Sequence, residues 1–184
     1  MAKSAKWVRL AILAGAVTAT HGFCAAPQDG PVANPVTSTV KMQLERFSKI
    51  MVQAAESMPA EKYSFKPTPE MNSFGHLTMH IAQSNNSLCS KLSGAAMPEG
   101  KLADSDSKEK LVAALKSSFE LCSAALANAD DSKLGDQLLL GNRTSSRAGV
   151  LITLSDDWYD HYGTQAVYLR LNGILPPTAQ RPPK

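Results

Sequence analysis

No basic run occurs in this chain, no segment alternates apolar and polar residues long enough to read as a strand, and no internal repeat is visible. Each absence excludes something. Without a basic run there is little to hold a phosphate backbone, so nucleic acid is not an expected partner. Without strands or repeats, sandwiches, barrels and solenoids fall away. The longest apolar run, residues 10–20, is too short and wrongly flanked to span a bilayer. Cysteine and histidine are also scarce, at three and four residues. That leaves few groups to carry thiol or metal chemistry, and each can be weighed singly.

What is present begins with an export signal. Lys3, Lys6 and Arg9 form a basic head, residues 10–20 the apolar centre, and small residues around Cys24-Ala25-Ala26 a cleavage zone. Cys24 invites a lipoprotein reading, against which Phe23 stands where a small residue is required. Residues 1–25 are therefore read as a signal peptide and the protein as periplasmic or secreted. That segment holds three of the 19 basic residues and none of the 16 acidic ones, so the rest of the chain carries 16 of each sign. With 43% apolar and 19% charged residues, the remainder has the composition of one globular domain that needs no membrane once the signal is gone.

Residues 26–36, rich in Pro, Gly, Asn and Asp, read as a disordered lead-in. Four amphipathic segments follow. The first, residues 37–58, has Val40, Leu44, Phe47, Met51, Ala54 and Met58 on one seam and stops at Pro59. A proline-containing crossover, residues 59–72, offers Tyr63 and Phe65 as anchors. The second helix starts after a Ser73 cap and carries Phe74, Leu77, Ile81, Leu88 and Leu92. The third opens on Asp106 and Glu109, read as a capping box, with Leu111, Leu115, Phe119, Cys122 and Leu126 as its stripe. Residues 130–145 read as a polar connection with Leu138-Leu139-Leu140 as a buried plug. The fourth helix, residues 146–172, has Val150, Leu151, Leu154, Trp158, Val167, Tyr168 and Leu171 at helical spacing, and Gly173 and Pro176-Pro177 stop it. Residues 178–184 read as an extended tail. The fold class is all-α, a four-helix bundle over residues 37–177, and dimerisation is an expectation for such a bundle.

Cys89 and Cys122 lie on neighbouring helices. In an oxidising compartment they are expected to pair, closing a loop that stabilises by roughly 3–4 kcal/mol; the alternative is two buried free thiols. The remaining histidines are His76, His80 and His161. Asp157 and His161, at i and i+4, continue the buried stripe from Val150 and Leu154, and a buried carboxylate–imidazole pair needs a partner. With His80 from the second helix they form a two-histidine, one-carboxylate set suited to a divalent metal; a core histidine hydrogen-bonded to an aspartate is the alternative. His76, Tyr162 and Arg170 are candidate pocket residues. Asp156 and Asp160 read as solvated, with support of a metal ligand as the other option.

The stretch Phe74-Gly75-His76-Leu77-Thr78-Met79-His80-Ile81-Ala82, preceded by Lys66-Pro67-Thr68-Pro69-Glu70, resembles the second-helix signature of the DinB-like (DNA-damage-inducible) family. Asp160-His161-Tyr162-Gly163 and the run from Tyr168 to Pro177 are similar to that family's fourth-helix ending. The resemblance spans residues 37–177. It implies up-down-down-up connectivity with long crossovers, and a divalent metal (zinc, nickel or iron) held by one histidine of the second helix and an H-x-x-x-H pair of the fourth. His80 and His161 match two of those ligands; Asp157 stands where the resemblance implies the third histidine. It also implies metal-assisted activation of a thiol or of water. Export disfavours low-molecular-weight thiols, so metal-dependent hydrolysis of an unidentified small molecule is the enzymatic expectation. The competing one is a non-catalytic periplasmic binding or stress-related module with a degenerate metal site.

Overall fold

The computed structural model describes residues 30–180. The signal at 1–25, the first part of the lead-in and residues 181–184 lie outside them. Four long helices make up the helical unit from Val32 onward: α1 (Pro35–Ser57), α2 (Phe74–Ser93), α3 (Lys108–Leu126) and α4 (Arg147–Leu171).

Their directions follow from residue pairs across the core. Gln43 meets Ser155 and Met51 meets Gln165, so α1 and α4 run parallel. Asn85 meets Ser118 and Cys89 meets Cys122, so α2 and α3 also run parallel. Trp158 meets Asn85, while Tyr168, further along α4, packs on Phe74, earlier in α2, making that pair antiparallel. The bundle is therefore up-down-down-up, as the resemblance implied. The core is filled by Phe47, Met51, Ile81, Leu111, Leu115, Leu126, Leu151, Leu154 and Trp158, all fully buried. Cys89 and Cys122 form a disulfide inside it, with Cα atoms 5.0 Å apart.

Local chemistry sets the helix ends. Ser73, Ser107 and Ser146 each accept a bond from the backbone N–H three residues on, satisfying a donor the helix itself cannot. The cap of α3 is thus Ser107 and not Asp106, because the Asp106 carboxylate is engaged by Ala103 N–H and by Lys110 Nζ at 2.8 Å. Gly94, at φ 75°, closes α2 in the left-handed conformation.

The second crossover differs from the sequence expectation. Leu138-Leu139-Leu140 is no buried plug but half of a hairpin, β1 (Gln137–Leu140) paired antiparallel with β2 (Arg143–Ser146). Gly141, at φ 63°, takes the first central position of the two-residue turn, where a type II′ turn demands glycine. Leu139 points to solvent and is 61% exposed, while Leu138 and Leu140 pack on the core.

Helix α1 begins two residues inside the segment read as lead-in. Its N-terminus is capped from a distant loop: Asp131 accepts from Val36 N–H and Thr37 N–H, both at 2.9 Å, and from the Thr37 hydroxyl. Desolvation pushes the Asp131 pKa up, but the Thr37 and Val36 donors outweigh it and leave the carboxyl below its ordinary value. A lowered folded pKa gives stability that is present above the unfolded value of about 3.9 and is lost as pH falls through the folded one. Asp131→Asn is therefore expected to lower the thermal midpoint at pH 7, with the gap to wild type closing in acid below about pH 4. Thermal melts across that range check it; a constant gap would mean that the ionised cap contributes nothing.

The C-terminal segment is docked up to Gln180, not extended. Tyr162 Oη donates to Thr178 Oγ1 at 2.8 Å and accepts from Thr178 N–H, and Gln180 bonds Gln53.

Candidate metal centre

Two features place α2 at the site. The first is Gly75, whose N–H bonds Tyr63 O at 2.8 Å. A Cβ there would lie 2.7 Å from the Asp104 carbonyl oxygen, so only glycine lets α2 pass this close to the loops that precede and follow it. The second is Tyr168, whose hydroxyl donates to Asn72 O at 2.6 Å and pins the loop before α2 to α4. His76 and His80 then face α4 across a cleft of about 390 Å³.

His80 and His161 line it, and together with Asp157 behind them each offers a ligand atom within 4.8 Å of the others. The His80 and His161 rings stand edge to face, 4.9 Å apart. His161 Nε2 lies 3.1 Å from Asp157 Oδ1 but makes no aligned hydrogen bond, and neither His161 Nε2 nor Asp157 Oδ2, both buried, has a partner. On the other side of the ring, Nδ1 lies 3.2 Å from Asp160 Oδ2. A carboxylate there favours a proton on Nδ1 and leaves the Nε2 lone pair facing Asp157 and His80. Asp160, read from sequence mainly as solvated, is thus placed to orient the His161 ring; its position next to His161 was the available signal.

The electrostatics split the two histidines. Asp157 beside it, more than burial opposes, raises the His161 pKa. Burial, helped by the neighbouring His161, lowers that of His80. A site that holds a proton on His161 through carboxylates is one that would also hold a cation.

Of the candidate pocket residues, His76 lines the cleft, its Nδ1 3.8 Å from Asp104 Oδ2 and its ring stacked on His80 at 6.4 Å. Tyr162 and Arg170 do not. Tyr162 is buried against Phe47 and held by Thr178; Arg170 is exposed and donates to Ala166 O of its own helix. Residues the sequence reading passed over complete the wall: Glu70, Met71, Asn72 and Thr164. A larger concavity of about 680 Å³ lies between α1 and α3, floored by Leu44, Phe119 and Leu126. It contains no histidine; His76, His80 and His161 all line the smaller cleft.

Fold and site together define an all-α bundle with a candidate two-histidine, one-carboxylate metal centre. The chain belongs to the DinB superfamily, whose family model matches residues 43–164, more than half of it. Among solved structures it is similar to a DinB-like protein from Bacillus subtilis, with 21% identity and a TM-score of 0.63 over 78% of this chain and 99% of that one. A DinB-like protein from Bacillus cereus matches at 17% identity and a TM-score of 0.63, over 76% and 95%. A mutant of a mycothiol-dependent maleylpyruvate isomerase matches at 11% and 0.56, over 72% and 65%. At these identities the likeness is one of fold. No functionally curated protein matches the sequence.

Proposed function

We propose that this protein is an exported, metal-dependent hydrolase of a small-molecule substrate, with zinc, nickel or iron held by His80, Asp157 and His161. The observation that carries the reading is the buried, unpartnered pair Asp157 Oδ2 and His161 Nε2, the latter on a residue that lines the cleft. Each such atom costs about 1–3 kcal/mol, and two adjacent lone-pair donors suit a cation that accepts both. Two imidazoles and one carboxylate would leave positions open for water and substrate. When bound, a divalent cation would supply Lewis acidity, making water a nucleophile near neutral pH and polarising a carbonyl.

The chain's own groups do the rest. Asp160 orients the His161 ring through Nδ1, Tyr168 and Asn72 fix the cleft wall, and His76 is a side chain in the cleft able to take or give a proton. Export rests on Lys3, Lys6, Arg9 and the apolar residues 10–20, and the buried Cys89–Cys122 disulfide suits an oxidising compartment. No helix among the described residues is long and apolar enough to cross a membrane.

One observation favours the competing reading of a non-catalytic module with a degenerate site: Asp157 Oδ1 lies only 3.1 Å from His161 Nε2, so a small rotation of either side chain would close a hydrogen bond without a metal. The deciding experiment screens untagged protein against chromogenic esters, amides and lactones after chelator treatment and after reloading with zinc, nickel or ferrous iron. Hydrolysis that disappears on chelation and returns with one metal is expected. A protein that takes up none of the three overturns the proposal and leaves the module.

A further inference from the structure

The outer face of α4 carries a stripe that the bundle leaves largely exposed. Ile152, Asp156, Tyr159, Gly163, Val167 and Arg170 follow one another at intervals of three and four residues, and all are exposed, opposite the buried Leu151, Leu154, Trp158 and Leu169. The solvent face of a bundle helix is ordinarily polar. Here Ile152, Tyr159 and Val167 are each about half exposed, at 54%, 49% and 50%.

Gly163 is the second anomaly. It sits in the middle of the helix, where glycine costs about 1 kcal/mol relative to alanine. Nothing in the fold asks for it: a Cβ at 163 would meet no atom within 4 Å, and its φ is not positive. A residue that the monomer does not need fits a backbone approaching from outside.

The charges say which backbone. Asp156 lies seven residues before Gly163 and Arg170 seven after; Tyr159 lies four before and Val167 four after. Neither Asp156 nor Arg170 has an ion-pair partner among the described residues. We infer that this face docks a second copy of the chain, α4 against α4 antiparallel, with the two-fold axis at Gly163. Asp156 then meets the partner's Arg170 at both ends, and Tyr159 meets the partner's Val167 on both sides of the axis. Every contact is made twice, as an isologous interface requires. A parallel pairing would set Asp156 against the partner's Asp156 and Arg170 against the partner's Arg170, which like-charge repulsion opposes. Gly163 lets the two helices close, and the Tyr159 ring is already held edge-on against Phe47 at 4.5 Å, so little side-chain freedom is lost on docking.

Sedimentation velocity on the full chain, from about 1 to about 100 µM, should show a concentration-dependent dimer. Gly163→Leu and Asp156→Arg should each weaken it at least about tenfold. Gly163→Leu should leave the thermal midpoint of the monomer unchanged or raised, because the added side chain meets nothing within the subunit. The double variant Asp156→Arg/Arg170→Asp should restore the dimer by exchanging the two ends of each ion pair. A wild-type chain that stays monomeric throughout, a dimer indifferent to both single variants, or a charge exchange that fails to restore association would overturn the inference.

Discussion

Replacement of His161 by alanine is expected to abolish metal binding and leave the bundle folded. The imidazole is the one group in contact with every other part of the centre: Asp157 at 3.1 Å, Asp160 at 3.2 Å and the His80 ring at 4.9 Å. Removing it leaves one carboxylate and one exposed histidine, too few to hold a divalent ion against water. The loss should exceed the 10–100-fold typical of removing a supporting partner, which is the effect expected of Asp160→Ala. Metal content by mass spectrometry gives the first readout and thermal stability the second. Zinc at about 100 times its Kd should stabilise wild type by about 2.7 kcal/mol and the variant not at all. The variant fold should survive because His161 lies at the rim of the core, although Asp157 loses its neighbour at a cost of about 1–3 kcal/mol. Unchanged metal content in His161→Ala would mean that the metal is held elsewhere and not by this triad.

The bundle was legible because its helices write themselves in spacing and punctuation. Leu44, Phe47, Met51 and Ala54 keep one face, and Pro59, Ser73 and Gly173 mark ends by what their side chains or backbones can do. That Asp157 and His161 come together was legible for a similar reason, since they extend a stripe that already held Val150 and Leu154. What went unread depended on contacts between distant residues. The last turns of α4 bury Gln165, Ala166 and Leu169 and expose Val167 and Leu171, because the docked Thr178 and the Met51 carbonyl supply partners for Tyr162 and Gln165 that spacing does not reveal. Asp131 caps a helix nearly a hundred residues away, so Pro35 could start α1 where local composition read as lead-in. The hairpin did leave a local mark, Gly141-Asn142 between two short runs, but three leucines in a row obscured their alternation.

The largest loss of stability from a single change is expected at Trp158, and it reaches the candidate metal centre. Its ring is fully buried between Phe47 and Phe119, with centroids 6.3 and 6.0 Å away, and its Nε1 donates to Asn85 Oδ1 at 2.8 Å. Asn85 Nδ2 in turn donates to Ser118 Oγ at 3.0 Å, so one polar chain inside the core ties α4 to α2 and α2 to α3. Trp158→Ala opens a cavity worth about 3–5 kcal/mol and strands the Asn85 carbonyl, a further cost of about 1–3 kcal/mol, against a total stability of about 5–15 kcal/mol for a domain. Trp158→Phe keeps most of the packing and removes only the donor, so urea titration of both separates the two contributions. A loss below about 0.5 kcal/mol for Trp158→Phe would mean that the polar chain does not hold the helices. Because Trp158 directly follows Asp157, the bond that fixes the rotation of α4 against α2 also sets which way Asp157 and His161 face. Trp158→Phe should therefore bind zinc more weakly even where it remains fully folded, with the core acting on the centre through the angle of one helix.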